Sequence, residues 1–168
     1  SREEFEYFLC AECGCLQISE IPANLGQYYP SDYYSYASPG APRSQGLKRR
    51  LKRQRTLRAL GAWNPVGALV EALSGPAEIP PAVLRARPSV DARVLDVGCG
   101  AGILLVGLQQ QGFTDLTGVD PYAPGDSFPR PGVRILKREL SELDETFDLL
   151  MLHHSFEHMV APLEVLQL

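Results

Sequence analysis

No apolar run in this chain of 168 residues reaches the roughly 18 that a membrane-crossing helix needs. The opening stretch, SREEFEYFLC, has no basic segment followed by an apolar one, so it does not read as a secretory leader. These two absences make a cytoplasmic protein with no membrane partner the default expectation. No internal repeat is visible, so a stacked-repeat architecture is not expected. Positive charge is not in excess either: the net charge is −4, which argues against nucleic acid as the partner of the whole chain. Histidine and cysteine are scarce, with three and four copies, and neither occurs among the nine residues before Cys10.

What is present is clustered. Residues 48–58, KRRLKRQRTLR, hold seven Lys or Arg and no acid. The aromatic interleaving that single-stranded nucleic acid would stack on is missing, so the run reads as a solvated helix face. Three cysteines, Cys10, Cys13 and Cys15, fall within six residues, and the fourth is Cys99. In a chain without secretory signals such a cluster suggests metal before disulfide. Cys10-x-x-Cys13 followed by Gly14 is one knuckle of a zinc site, since it presents two thiolates from a tight turn. Tetrahedral zinc needs four ligands, however, and no second pair precedes this one. Either Cys15 and a distant ligand complete a site, or the chain is expected to begin after the first knuckle of a longer protein in which Cys10 and Cys13 could be two zinc ligands; the alternative is a small cluster of free thiols.

Composition divides the chain into three regions. Residues 1–43 form an irregular segment rich in Cys, Tyr, Pro and Ser. Residues 44–90 read as a helical connector. It begins with a basic helix striped by Leu47, Leu51, Leu57 and Leu60 and ending near Gly61. A second helix follows, with Asn64 as its N-cap, Pro65 at the first position and Gly75 as its stop. Residues 91–168 alternate apolar runs with Gly and Asp. They predict strands at 93–98, 116–120, 133–136 and 147–153, a helix at 103–112 and the start of another after His154. The fourth strand is nearly all apolar, which predicts burial on both faces. Alternating strands and helices of this kind imply an α/β fold with a parallel sheet.

The central motif is VLDVGCGAG. Gly98, Gly100 and Gly102 stand where a strand passes into a helix, so the backbone can turn tightly and approach a ligand. The helix beginning near Ile103 points its positive end at that ligand. Asp120, eighteen residues after Gly102, closes the second strand, where an acid can accept hydrogen bonds from both hydroxyls of a ribose. In the dinucleotide fingerprint G-x-G-x-x-G the third glycine would fall on position 103, which is isoleucine here. Asp96, two residues before the first glycine, suits a cofactor carrying an ammonium better than a pyrophosphate.

VLDVGCGAG, then GVD, then FDLLMLHHSFEHM, in that order and spacing, resembles the class I S-adenosylmethionine-dependent methyltransferases. More narrowly it is similar to bacterial members with an N-terminal Cys-x-x-Cys segment that act on sugars or glycan precursors. The resemblance implies a Rossmann-like parallel sheet whose first four strands lie in the order 3-2-1-4. It implies that Asp96, Gly98, Cys99, Gly100 and Gly102 surround the methionine end of S-adenosylmethionine. Asp120 would hold the ribose, with Pro121 beside the adenine, Glu139 and Leu140 near its edge, and His153 beside the sulfonium. Cys99 reads as a small buried residue rather than a nucleophile. Tyr28, Tyr29, Tyr33, Tyr34 and Tyr36 correspond to a segment that could form a lid over the pocket, or simply pack on the surface. The family sheet has seven strands and four are visible here, so the chain is expected to be a fragment whose fourth strand is exposed and self-associates.

LHHSFEHM also matches H-x-x-E-H, a zinc-protease pattern. That chemistry needs both histidines on one helix and a further downstream ligand. Here His154 follows directly on a predicted strand. The expectation is that the histidines instead wall the site at the carboxyl edge of the sheet. His154, then His158, then His153 are candidates for the general base that a hydroxyl acceptor would want. A small-molecule acceptor is the expected partner. Two other possibilities stay open at this point: a nucleotide-binding module of another class, such as one using NAD, and a cofactor-binding fragment without catalysis.

Overall fold

The computed structural model describes residues 3–28 and 46–167, so the expected tyrosine lid lies, apart from Tyr28, outside the described residues. The chain divides into two compact units, Ser1–Pro30 and Ser31–Leu168. In the first, β1 (Tyr7–Leu9) and β2 (Leu16–Ile18) form an antiparallel hairpin with Tyr7 opposite Ile18 and Leu9 opposite Leu16. The cysteine knuckle is its turn: the Gly14 amide donates to the Cys10 carbonyl at 2.9 Å, and the Cys10 amide to the Cys15 carbonyl at 2.9 Å. Phe5 meets the Tyr28 ring edge-on at 5.7 Å, and the Tyr28 hydroxyl donates to the Glu3 carboxylate.

The second unit begins with helices α1 (Leu47–Ala59), α2 (Pro65–Ser74) and α3 (Pro81–Ala86). Asn64 caps α2 by accepting from the Gly67 amide at 2.8 Å, with Pro65 fixing the first turn. Then come β3 (Arg93–Val97), α4 (Ile103–Gln110), β4 (Asp115–Val119), β5 (Ser127–Arg130), β6 (Val133–Leu136), β7 (Leu149–Met151) and α5 (Pro162–Val165). The sheet runs β5-β6-β4-β3-β7. Strands β6, β4, β3 and β7 are parallel, and β5 is antiparallel to β6. Strand alternation sorts the core into two layers. Val94, Leu116, Val133 and Ile135 pack with Leu105, Val106 and Leu108 of α4, with Phe113, and with Ile79 and Val83 of the α3 region. Leu95, Val97, Val119 and Leu136 form the opposite layer. Each such side chain contributes roughly 1.5–3 kcal/mol by leaving water.

Four expectations are corrected. First, the fourth strand is three residues long, not seven, and it is not buried on both faces: it lies at the sheet edge, with Leu150 46% exposed. Second, only the end of the leucine stripe turns inward: Leu57 and Leu60 are half-buried, Leu60 against the core. Leu47 and Leu51 are exposed, and the buried residues are Arg55 and Thr56. Third, its basic face is not simply solvated. Arg55, 4% exposed, donates to the Ser74 and Gly75 carbonyls at 3.2 and 3.0 Å and to Gln111 Oε1 at 3.4 Å. Arg49 donates to the Gln109 carbonyl, Arg53 pairs with Asp91 and Arg58 with Glu71. These cations dock α1 onto its neighbours through carbonyls and carboxylates. Fourth, the helix expected to start after His154 begins later, at Pro162: the chain first makes a 3-10 turn at Phe156–His158 and then the four residues of α5.

Candidate functional site

The site is built where β3 and β4 end. Gly98, Gly100 and Gly102 all have positive φ, at 74°, 53° and 73°. The Gly98 and Cys99 amides both donate to the Val119 carbonyl, at 2.8 and 3.2 Å, which folds the loop over the end of β4. The Gly102 amide then donates to the Cys99 carbonyl at 2.9 Å, and α4 begins with no side-chain cap on its first amides. Two of the glycines are required by space as well as by dihedral. A Cβ on Gly98 would stand 2.5 Å from Ser155 Cβ, and one on Gly102 would stand 2.4 Å from Ile135 Cδ1.

Two carboxylates flank this loop. Asp96 is 3% exposed, and its Oδ1 has no hydrogen-bond partner among the described residues. Burial, and secondarily the charge of Asp120, pushes its carboxyl up to about 7. Asp120, also buried, meets backbone through both oxygens: Oδ2 accepts from the Gly100 amide and Oδ1 from the Tyr122 amide, both at 2.9 Å. It thus ties the glycine loop to the turn after β4. Cys99 is half-buried, with its sulfur over β4, where a Cβ on Gly118 would come within 2.4 Å of it. Burial first, then Asp96 and Asp120, raise its thiol far above the ordinary range. A thiol held protonated in this way is a packing group, not a nucleophile.

The remaining candidates lie around this centre. Pro121 is exposed in the turn after Asp120. Glu139 caps the 3-10 turn Leu140–Glu142 in a reciprocal capping box, accepting from the Glu142 amide while its own amide donates to Glu142 Oε2 at 2.8 Å. Leu140 packs half-buried against the second core layer. His153 and His154 stack at 4.4 Å between ring centroids. His154 has φ 55°, is 82% exposed, and holds Nδ1 3.7 Å from Glu157 Oε1. His158 is exposed at the end of its 3-10 turn. The structure therefore brings Asp96, the glycine loop and Asp120 into one cluster and leaves the histidines on an exposed rim. Ser155 joins the two, because its hydroxyl donates to the Val97 carbonyl at 2.6 Å. No sequence signal marks that contact, since 58 residues separate its partners.

At the N-terminal turn, backbone hydrogen bonds from Cys13 and Glu12 hold the Cys10 thiol below its ordinary range, while contact with Cys13 raises that of Cys15. Among the described residues no group of three or more His, Cys, Asp or Glu side chains is placed to hold a metal ion. A zinc at Cys10 and Cys13 would have to draw its other ligands from elsewhere. No helix among the described residues is long and apolar enough to cross a membrane.

Comparison with known proteins agrees with the cluster around the glycine loop. A family model described as a methyltransferase domain matches residues 49–168. A ubiquinone biosynthesis O-methyltransferase from Azorhizobium caulinodans is 37% identical over 84 residues, covering 44% of this chain and 32% of that protein. The chain thus spans about a third of the length of this curated relative. No solved structure matches it. The match over most of the chain, with the glycine loop and both carboxylates inside it, shows that the chain belongs to the methyltransferase domain family.

Proposed function

We propose that this domain binds S-adenosylmethionine and directs its methyl group to a hydroxyl of a small molecule. The observation that carries this is the Asp96 carboxylate, buried beside the glycine loop with an oxygen that nothing among the described residues satisfies. A buried acid without a partner is costly alone and stabilising once a cation meets it. The ammonium of the methionine moiety is such a cation, and bound there the cofactor would supply an electrophilic methyl on a positive sulfur. Asp96 disfavours the pyrophosphate of a dinucleotide, and Ile103 stands where that fingerprint wants glycine.

The chain's own residues then have distinct tasks. The loop through Gly98, Cys99, Gly100 and Gly102 lets backbone approach the methionine end. Asp120 holds that loop through the Gly100 amide and has lone pairs left for a ribose. Pro121, Glu139 and Leu140 would border the adenine, and His153 the sulfonium. His154 is the first candidate to take the acceptor's proton, with Glu157 3.7 Å away to orient its ring, and His158 the second. Holding acceptor and methyl donor in line is itself worth on the order of 7–11 kcal/mol. The relative's name places its methyl on oxygen, which supports a hydroxyl acceptor. No observation singles out a sugar or glycan precursor among such acceptors.

Calorimetry with S-adenosylmethionine, S-adenosylhomocysteine and NAD tests the proposal. Binding of the two sulfur ligands and not of NAD is expected. NAD binding alone would overturn it, and binding without any transfer would reduce the domain to a cofactor-holding module. Turnover unchanged in His154→Ala would remove that histidine as the base.

A further inference from the structure

Strand β7 pairs with β3 only as far as Met151 opposite Asp96. The Arg93 carbonyl faces β7, where it accepts from the Asp148 amide at 2.9 Å. By strand alternation the carbonyls of Leu95 and Val97 face the same edge. At Val97 the ladder has no further β7 residue to use, because the chain turns away through His154 at φ 55°. A left-handed conformation at a residue other than glycine costs on the order of 1 kcal/mol and persists only where its surroundings hold it. The next residue supplies that hold: Ser155 Oγ donates to the Val97 carbonyl at 2.6 Å, and its Cβ seats in the space that Gly98 leaves by lacking one. The His158 amide then donates back to the Ser155 carbonyl at 3.0 Å and closes the 3-10 turn.

We propose that Ser155 is a positioning residue: its hydroxyl takes the place of a further β7 amide on Val97 and fixes the turn bearing His153, His154 and His158 against the glycine loop. The acceptor side of the site is thereby set relative to the cofactor side by one side chain and one missing methyl. This rests on the methyl-transfer proposal for its purpose, but its test does not need it.

The chain has three histidines, so the ring C–H signals of its NMR spectrum are three pairs, one Hε1 and one Hδ2 for each ring, and are assignable by substitution. In ligand-free Ser155→Ala the His153 and His154 signals shift as their stacking is lost, and the hydrogen-bonded amides of His158 and Met159 exchange roughly fivefold faster, the worth of one hydrogen bond. Ser155→Thr, which keeps the hydroxyl, retains the original signals. Unchanged histidine signals in Ser155→Ala, or equal disturbance in Ser155→Thr, would overturn the proposal. The unsubstituted protein gives a check that needs no variant to fold. The His158 amide should be protected, and exchange at the rate of an open chain would count equally against the staple. Failure to bind S-adenosylhomocysteine would remove the methyl-transfer proposal and leave these outcomes intact.

Discussion

Asp96 is a buried acid whose protonation is linked to both folding and binding. Its folded carboxyl titrates near 7, above the 3.8 of an exposed aspartate, so between those values the folded state holds a proton that the unfolded state has lost. Stability of the ligand-free protein therefore falls as pH rises from about 4 to about 7 and is level above, with the full effect on the order of 4 kcal/mol. Asp96→Asn should remove this slope and raise the melting temperature at pH 8, while abolishing S-adenosylhomocysteine binding. Thermal melts at pH 5 and pH 8 decide it, and parallel curves for the two proteins would refute it. A cationic ligand wants the ionised acid, so binding at pH 6 should release a proton, seen as a dependence of the calorimetric heat on buffer. The cysteines make a second test at this scale. Cys10, at the exposed turn, should react fast with a disulfide reagent, whereas Cys99 should react only on unfolding. Labelling of Cys99 in the native protein at the rate of Cys10 would show that its burial is misjudged.

At the scale of elements, α1 is held by polar groups. Arg55 satisfies the carbonyls of Ser74 and Gly75 at the end of α2 and reaches Gln111 after α4. Arg55→Met should cost about 2–4 kcal/mol, because it removes a buried guanidinium and strands the buried Gln111 Oε1, whereas Arg50→Met on the exposed side should change stability by less than about 0.5 kcal/mol. Denaturant titration of both variants checks the contrast, and equal effects would refute it. This also explains what could be read from the residues and what could not. Strands β3 and β4 and helix α4 announce themselves through apolar runs closed by Gly or Asp, and β6 through the apolar run that follows Gly132. The glycine loop and both carboxylates follow from spacing along the chain. By contrast, β5 (SFPR) has Pro129 and no alternation, because it is an edge strand whose two inner residues, Phe128 and Pro129, have no register partner in β6. The buried face of α1 is written in Arg and Thr, which no hydrophobic period reveals. Ser155 was invisible for a different reason: its role depends on which strand end it meets, a matter of register and not of residue type.

For the molecule as a whole, the exposed β7 edge has a consequence. β7 has β3 on one side only, so its outer backbone groups are free to pair with another chain. Leu150 on the strand, and Val160, Leu163 and Leu166 after it, are exposed apolar side chains close in sequence to that edge. Parallel strands with apolar side chains are ordinarily covered on both faces, and here the end of the sheet is not. The 168-residue chain should therefore associate with itself as its concentration rises, through this edge and not through the basic helix, most of whose cations already meet carbonyls or carboxylates. Leu150→Lys places a charge on the strand without touching the glycine loop, and should return the protein to monomer with cofactor affinity unchanged. Sedimentation of both proteins over a range of concentration tests this directly. A monomer at every concentration in the parent chain would refute it. Association that survives Leu150→Lys would move the contact elsewhere, with the exposed stripe of Val66, Leu69 and Leu73 on α2 as the next surface to substitute.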